Sequence, residues 1–267
     1  MMKKIIYIFY LIPLLLFYSC EQPSEEENIP YIPKLVIRGI LTEGKPVTDI
    51  YIGRTMPVSV KIDPAFTDLS DAAAVIVHND QFYPLTYTHN GLYKNDTLQI
   101  IKGEKYSLLA SWQNLSASAE TTIPIPGRIP SFSMQTQSTS TGQVHFLQSQ
   151  IIPHSDEVYA ATWVLLYLNG GVAEESQEFS TVTGKDASGI AICTTADIPS
   201  NYINQLNTKL TARVYIFDHP FLDFYKTQNL NQVSDAIFGQ TGSQVKWNII
   251  GEGIGMFIGR ADTLLSQ

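Results

Sequence analysis

The chain has 267 residues, 44% of them hydrophobic and 16% charged, with a formal net charge of −8. That length can bury a sizeable core in one large or two ordinary domains, and an acidic chain with no Lys/Arg run disfavours nucleic acid or an anionic membrane face as a partner. Cys20 and Cys193 are the two cysteines, which excludes a disulfide framework.

Residues 1–20 read as a lipoprotein signal peptide. Lys3 and Lys4 precede fourteen mostly apolar residues from Ile5 to Tyr18, and Ser19 stands before Cys20. The run is short for a bilayer span, which needs about 20 residues, and its layout is that of a cleaved leader ending at a lipid-modified cysteine. Cys20 is therefore the expected lipid attachment, and more than one acyl chain there makes anchoring stable. With Lys3 and Lys4 in the leader, the mature chain carries 15 of the 17 basic residues against all 25 acidic ones, a net charge of −10. Residues 21–33, with Glu25, Glu26 and Glu27, read as an acidic tether with too few apolar residues to pack. The acidic run is similar to the surface-export signal of some Gram-negative lipoproteins. With Cys20 acylated, Cys193 in the apolar run GIAIC lacks a disulfide partner and reads as a buried, inert thiol.

From Lys34 the chain breaks into short runs rich in Val, Ile, Tyr and Thr, punctuated by Gly, Pro, Asn and Asp, which predicts an all-β sandwich or barrel. The expected strands of residues 34–124 are KLVIRGIL, VTDIYIGRT, AAVIVHN, QFYPLTYT, LYKNDTLQI, EKYSLLASW and SASAETTIP, an immunoglobulin-like or transthyretin-like set. Glu43-Gly44, Asn79-Asp80, Asn90-Gly91 and Lys102-Gly103 supply turn chemistry between them. In EKYSLLASW, Tyr106, Leu108 and Ala110 alternate with Lys105, Ser107 and Leu109, as a strand with one buried face requires. The stretch TIPIPGRIP, with three prolines and a glycine in nine residues, marks a boundary.

Residues 129–267 then read as a second β-rich, sandwich-like domain with one short helix. After the polar run MQTQSTSTGQ, expected as a solvent-facing strand or loop, come VHFLQSQII, YAATWVLLYLNG, QEFSTVT, GIAICTT and KLTARVYIFD. The near-continuous apolar run Trp163 to Leu168 predicts a strand buried on both faces. A helix is expected over 220–232, with Asp218 or His219 as cap and Pro220 in its first turn. Phe221, Phe224 and Tyr225 would share the face packed on the sheet. Four glycines between Gly251 and Gly259 in KWNIIGEGIGMFIGR suit bends and close backbone approach in a final strand pair.

The order of these features resembles the cell-envelope lipoproteins of the domain-of-unknown-function family DUF4249. The resemblance rests on Glu21 after the lipid cysteine, LVIRGILTEG, IYIGRTMPV, LSDAAAVIV, and GLY before a strand. It continues through Gly103, Tyr106 and Leu108 in a GxxYxL element, the IP-rich linker, Phe224-Tyr225-Lys226 and the tail NIIGEGIGMFIGR. It covers nearly the whole mature chain; Trp247 stands where the pattern has a smaller residue. The resemblance implies a β-rich envelope lipoprotein, often encoded beside TonB-dependent transporters whose N-terminal extension is a carboxypeptidase-regulatory-like β domain. It implies no established catalytic residues.

The chemistry-bearing residues form no recognised catalytic motif. His78, His89, His145, His154 and His219 include no i, i+4 pair and no HExxH, so zinc-protease geometry is not expected and no metal is assigned. His154, Asp156 and Glu157 in PHSDE read as a turn. There is no GxSxG elbow, and Ser243 lacks an elbow's context. GEGIG lacks the helix and Lys-Ser/Thr pair of a phosphate loop. Asp63, Asp68 and Asp71 do not match the spacing of a calcium loop. Glu174 and Glu175, adjacent on a strand, would point to opposite faces and cannot flank one glycosidic bond; a hairpin tip is expected there. The Tyr- and Asn-rich segment NDQFYPLTYTHNGLY reads as β surface, able to meet polar ligands through ring stacking and amides.

The expected function is that of an outer-membrane lipoprotein, surface-exposed or periplasm-facing. It would act as a non-catalytic binding or accessory module associated with a TonB-dependent transporter, with no catalytic residue and no cofactor. Its expected partners are the membrane, through the lipid anchor, the transporter, and a peptide or glycan ligand, but no nucleic acid. The alternatives are an envelope hydrolase acting on glycan or peptide and a structural adhesin that pairs through exposed strand edges.

Overall fold

A strand with every second side chain apolar must pair edgewise and cover one face. In the computed structural model, which describes residues 30–57, 60–61, 63–140, 142–203, 205–228 and 245–265, β7 (Lys105–Trp112) buries Tyr106, Leu108 and Ala110 and leaves Leu109 41% exposed. It lies in a five-stranded sheet ordered β16 (Ile250–Gly251), β8 (Leu115–Thr122), β7, β3 (Ala73–His78), β4 (Gln81–Pro84). A three-stranded sheet holds β14 (Ala191–Thr194), β10 (Gly142–Ile152) and β9 (Arg128–Thr139).

The third sheet has nine strands. Its order is β12 (Val172–Glu175), β11 (Val158–Tyr167), β15 (Thr208–Phe217), β17 (Gly253–Leu264), β1 (Leu35–Thr42), β2 (Pro46–Arg54), β6 (Leu92–Gln99), β5 (Thr86–His89), with β13 (Val182–Thr183) also on β11. Three helices complete the described elements: α1 (Pro64–Thr67), α2 (Ser200–Ile203) and α3 (Pro220–Gln228). The all-β reading holds. Each predicted turn is occupied by left-handed residues: Gly44, Asn79, Asp80, Asn90, Gly91 and Gly103 have φ of 70°, 50°, 61°, 49°, 72° and 79°.

The two smaller sheets pack on one face of the large one. Leu35, Ile37, Ile50 and Ile52 meet Ile76, Tyr106, Leu108 and Ala119 of the five-stranded sheet, and Phe257 of β17 joins them. Farther along that face, Tyr159, Ala161, Val214, Ile216 and Ala261 meet Ile151, Ala191 and Cys193 of the three-stranded sheet. Each such Leu, Ile or Phe contributes about 1.5–3 kcal/mol when fully buried. On the opposite face, Leu222, Phe221, Phe224 and Tyr225 of α3 cover Val158, Ala160, Phe217, Met256 and Ile258, as the aromatic stripe predicts. β11 is therefore buried on both faces from Val158 to Leu165. The expected burial fails beyond it, because the strand runs past its covering layers: Tyr167 and Leu168 are 50% and 70% exposed.

The sequence halves 34–124 and 129–267 share the large sheet, and Pro33–Gln267 is one compact unit. β1 pairs in parallel with β17, from Leu35 opposite Gly253 to Thr42 opposite Arg260, whereas the other described ladders are antiparallel. A polar clamp reinforces this junction. The Thr121 hydroxyl donates to Asp218 Oδ2 at 2.8 Å and accepts from the Gly259 amide at 2.6 Å, and Thr122 N donates to the same carboxylate at 3.1 Å. Asp218 thus serves α3 through its carbonyl, which accepts from Phe221 N, and spends its carboxylate on the clamp and on His219 N.

Three expected elements differ. QFYPLTYT is two strands in two sheets: Pro84 ends β4, Leu85 turns into the core with its N–H on Ala74 O, and β5 joins β6. Only Val182–Thr183 of QEFSTVT is strand. The tail makes no strand pair with itself: β16 bridges β8, and Gly251, with φ 93°, turns the chain out of the five-stranded sheet and into β17. There the Glu252 carboxylate accepts from Ser116 N at 3.1 Å. Cys20, the leader, residues 21–29 of the tether, the end of the expected helix (229–232) and Ser243 lie outside the described residues.

Candidate functional site

The face of the large sheet that carries α3 continues beyond the helix as an open surface. On β1 the outward residues are Arg38, Ile40 and Thr42, alternating with buried Ile37, Gly39 and Leu41. Parallel pairing sets Arg260 opposite Thr42, and antiparallel pairing sets Tyr51 of β2 opposite Arg38. Lys45 follows the Glu43-Gly44 turn. Together Arg38, Lys45, Thr48, Asp49, Tyr51 and Arg260 line a groove of about 510 Å³, with Ile40, 44% exposed, in its lining.

Two of the three cations of this groove are held by aromatic rings. The Arg38 guanidinium lies 4.4 Å from the centroid of Tyr51, and that of Arg260 lies 5.6 Å from Tyr215, both within cation–π range. The Tyr51 hydroxyl donates to Asp68 Oδ1 at 2.9 Å, and burial followed by this bond raises its pKa. Asp49 adopts φ 57° where the β2–β6 register shifts between Val47 and Ile50, a bulge at the groove's edge.

Beyond Tyr215 the same face carries a closed polar network. Glu175 accepts from Tyr215 at 2.7 Å, Thr162 at 2.8 Å and Arg213 at 3.1 Å, while Arg213 Nη1 donates to Asp262 at 3.0 Å. Burial alone would raise the Glu175 carboxyl, but the three hydrogen bonds and the Arg213 charge outweigh it and hold the pKa below the usual glutamate value. Burial first, and Glu175 second, push the Tyr215 phenol up to about 12. The network is fully partnered.

The residues singled out by sequence are dispersed. Asp63 caps α1 through Ala65 N, Asp68 accepts from Tyr51, and Asp71 accepts from Trp112 Nε1 at 2.9 Å, so each carboxylate has its own task. His78 stacks on Tyr106 with centroids 4.4 Å apart and lies 3.4 Å from Glu104, His145 meets Thr136, and exposed His89 ends β5. In the PHSDE turn His154 stands 3.5 Å from Glu157, and His219 Nδ1 lies 3.2 Å from Asp156 O. Among the described residues no three His, Cys, Asp or Glu side chains gather as a metal site, and no helix is long and apolar enough to cross a membrane.

Glu174 and Glu175 do face opposite ways, toward Tyr202 and Arg213 respectively, but on strand β12 rather than at the hairpin tip, which is formed by Gly170 and Gly171. Cys193 is fully buried, and desolvation pushes its thiol up to about 12. In the Tyr-rich segment Tyr93 is structural: buried, it donates to Leu69 O and accepts from Ala72 N. Trp247, larger than the family pattern, packs 5.6 Å from Phe224. Sequence reading missed Arg38, Lys45 and Arg260 because strand pairing, not chain proximity, collects them; the local signal is the outward phase of Arg38, Ile40 and Thr42.

The model of the family described as "Domain of unknown function (DUF4249)" matches residues 22–263. No curated protein matches the chain. Among solved structures, an E. coli alpha-2-macroglobulin in its native conformation shows a TM-score of 0.23 and 10% identity over 71% of this chain and 13% of that one, too low a likeness to bear on the fold.

Proposed function

We propose, from the premise that the chain belongs to the DUF4249 family, that it is an outer-membrane lipoprotein held by lipid on Cys20. In this reading it works as a non-catalytic binding or accessory module beside a TonB-dependent transporter. The observation that carries the binding role is the groove of about 510 Å³ on the solvent side of the large sheet, within the size range of small-molecule sites. Ring packing orders Arg38, Tyr51 and Arg260, so this part of the surface is organised before a ligand arrives. The leader's layout and the family resemblance support the address and the transporter as partner.

Affinity capture of the tagged, lipidated protein from gently solubilised outer membranes, followed by mass spectrometry, tests the accessory role. Recovery of a TonB-dependent transporter in near-equal amount is the expected result; recovery of the protein alone would overturn it. Lipid labelling of Cys20→Ser tests the anchor independently, and label that persists in the variant would refute it.

A further inference from the structure

We infer that the groove on the open face of the large sheet is an oxyanion site: it takes a small ligand through a carboxylate or phosphate group. The inference deepens the binding-module reading and rests on it. Lys94, Lys102, Lys105, Lys185, Arg213 and Lys246 each have a carboxylate oxygen within 4.0 Å. Among the described residues Arg38, Lys45 and Arg260 have none, nor do Lys34, Arg54, Lys61, Arg128 and Lys226, but Arg38, Lys45 and Arg260 line one groove in a chain with eight more acidic than basic residues. Three cations against the one carboxylate of Asp49 give the groove a net positive charge in an acidic molecule, which attracts anions where the surrounding surface repels them.

A second observation concerns Arg260, which lines this groove. Arg260 Nε is buried and lacks a hydrogen-bond partner among the described residues. That nitrogen is closed to solvent, so a ligand in the groove would meet the outer nitrogens of the half-buried side chain. The guanidinium presents its donors in a planar fork that matches carboxylate or phosphate oxygens. Ring packing of Arg38 on Tyr51 and of Arg260 on Tyr215 limits how far each head can wander, so each meets a ligand already ordered. Thr42, Thr48 and the exposed edge of Ile40 offer hydroxyls and an apolar surface for the ligand's body, while Asp49 in the lining disfavours ligands with negative charge at that end.

The experiment is calorimetric titration of the full-length protein in detergent, at low salt, with glucuronate, inorganic phosphate and glucose, repeated on Lys45→Ala and Arg260→Ala. The expected result is saturable binding of at least one anion with one site per chain, weakened tenfold or more in both variants, with no binding of glucose. Glucuronate without phosphate assigns the anion to an acidic sugar, and phosphate without glucuronate to a phosphorylated ligand. Absence of saturable binding by both anions, equal binding of glucose, or anion binding unchanged in both variants overturns the inference. Lys45 is exposed and makes no described core contact, so Lys45→Ala keeps the test valid if Arg260→Ala destabilises the sheet. Anion binding intact with no transporter captured would refute the accessory reading and leave this site standing; the converse would refute only the site.

Discussion

Glu175 shows how one side chain couples the fold to pH. Its carboxylate is 18% exposed and holds Thr162, Arg213 and Tyr215, from two neighbouring strands, in one network. Because its folded pKa lies below the ordinary value of 4.5, it binds fewer protons folded than unfolded. Its contribution is therefore complete above that value and is lost as pH falls through the lower folded value. We expect Glu175→Gln to reduce stability at neutral pH by about 1–3 kcal/mol, leaving Arg213 and Tyr215 imperfectly matched. The variant should also flatten the acid limb of a melting-temperature profile from pH 7 to pH 3; an unchanged limb would assign acid sensitivity to other carboxylates. The opposite orientation of Glu174 and Glu175 was legible, since period two is a local property of strands. The partners of Glu175 were not, because Arg213 and Tyr215 reach it only through the β12–β11–β15 pairing.

β17 is the element on which most of the sheet's continuity depends. Gly255 has φ 122°, and a Cβ there would lie 1.9 Å from Ile37 O of β1. Ala at this position must distort the parallel ladder, and we expect Gly255→Ala to cost more than about 4 kcal/mol, among the largest single-site effects. Gly184 is the control: a Cβ there meets Val158 and Leu222 at 3.6 and 3.7 Å, ordinary contact distances. Gly184→Ala should melt close to the parent protein; equal losses in the two variants would refute the close-approach account. Alternation and turn residues announced β1 to β3, β6 to β8 and the helix at Pro220, since those signals lie within a few residues of one another. Pairing across the sheet did not announce itself. No periodicity in NIIGEGIGMFIGR distinguishes a terminal hairpin from a strand inserted between β1 and β15, and nothing local in QFYPLTYT reveals that it changes sheets at Leu85.

At the scale of the whole molecule, the two small sheets share a single large one. Trp112 reports on the first core, where Asp71 holds its indole N–H, and Trp163 on a cluster with Leu147, Ile198 and Ala212 beside the second. Proteins that retain only Trp112 or only Trp163 should therefore unfold in denaturant with coincident midpoints, both close to the circular-dichroism midpoint. Separated midpoints would show that the shared sheet and the Thr121–Asp218–Gly259 clamp do not couple the cores. The parallel ladder between β1 and β17 has a consequence for biogenesis. β1 is made early and its neighbour on that side after every other described strand, so until then the growing sheet has a bare, hydrogen-bonding margin beside Leu35 to Thr42. Contacts this distant in sequence form slowly. A ribosome that stalls before Gly253 releases a chain with that margin still open, a ready template for aggregation.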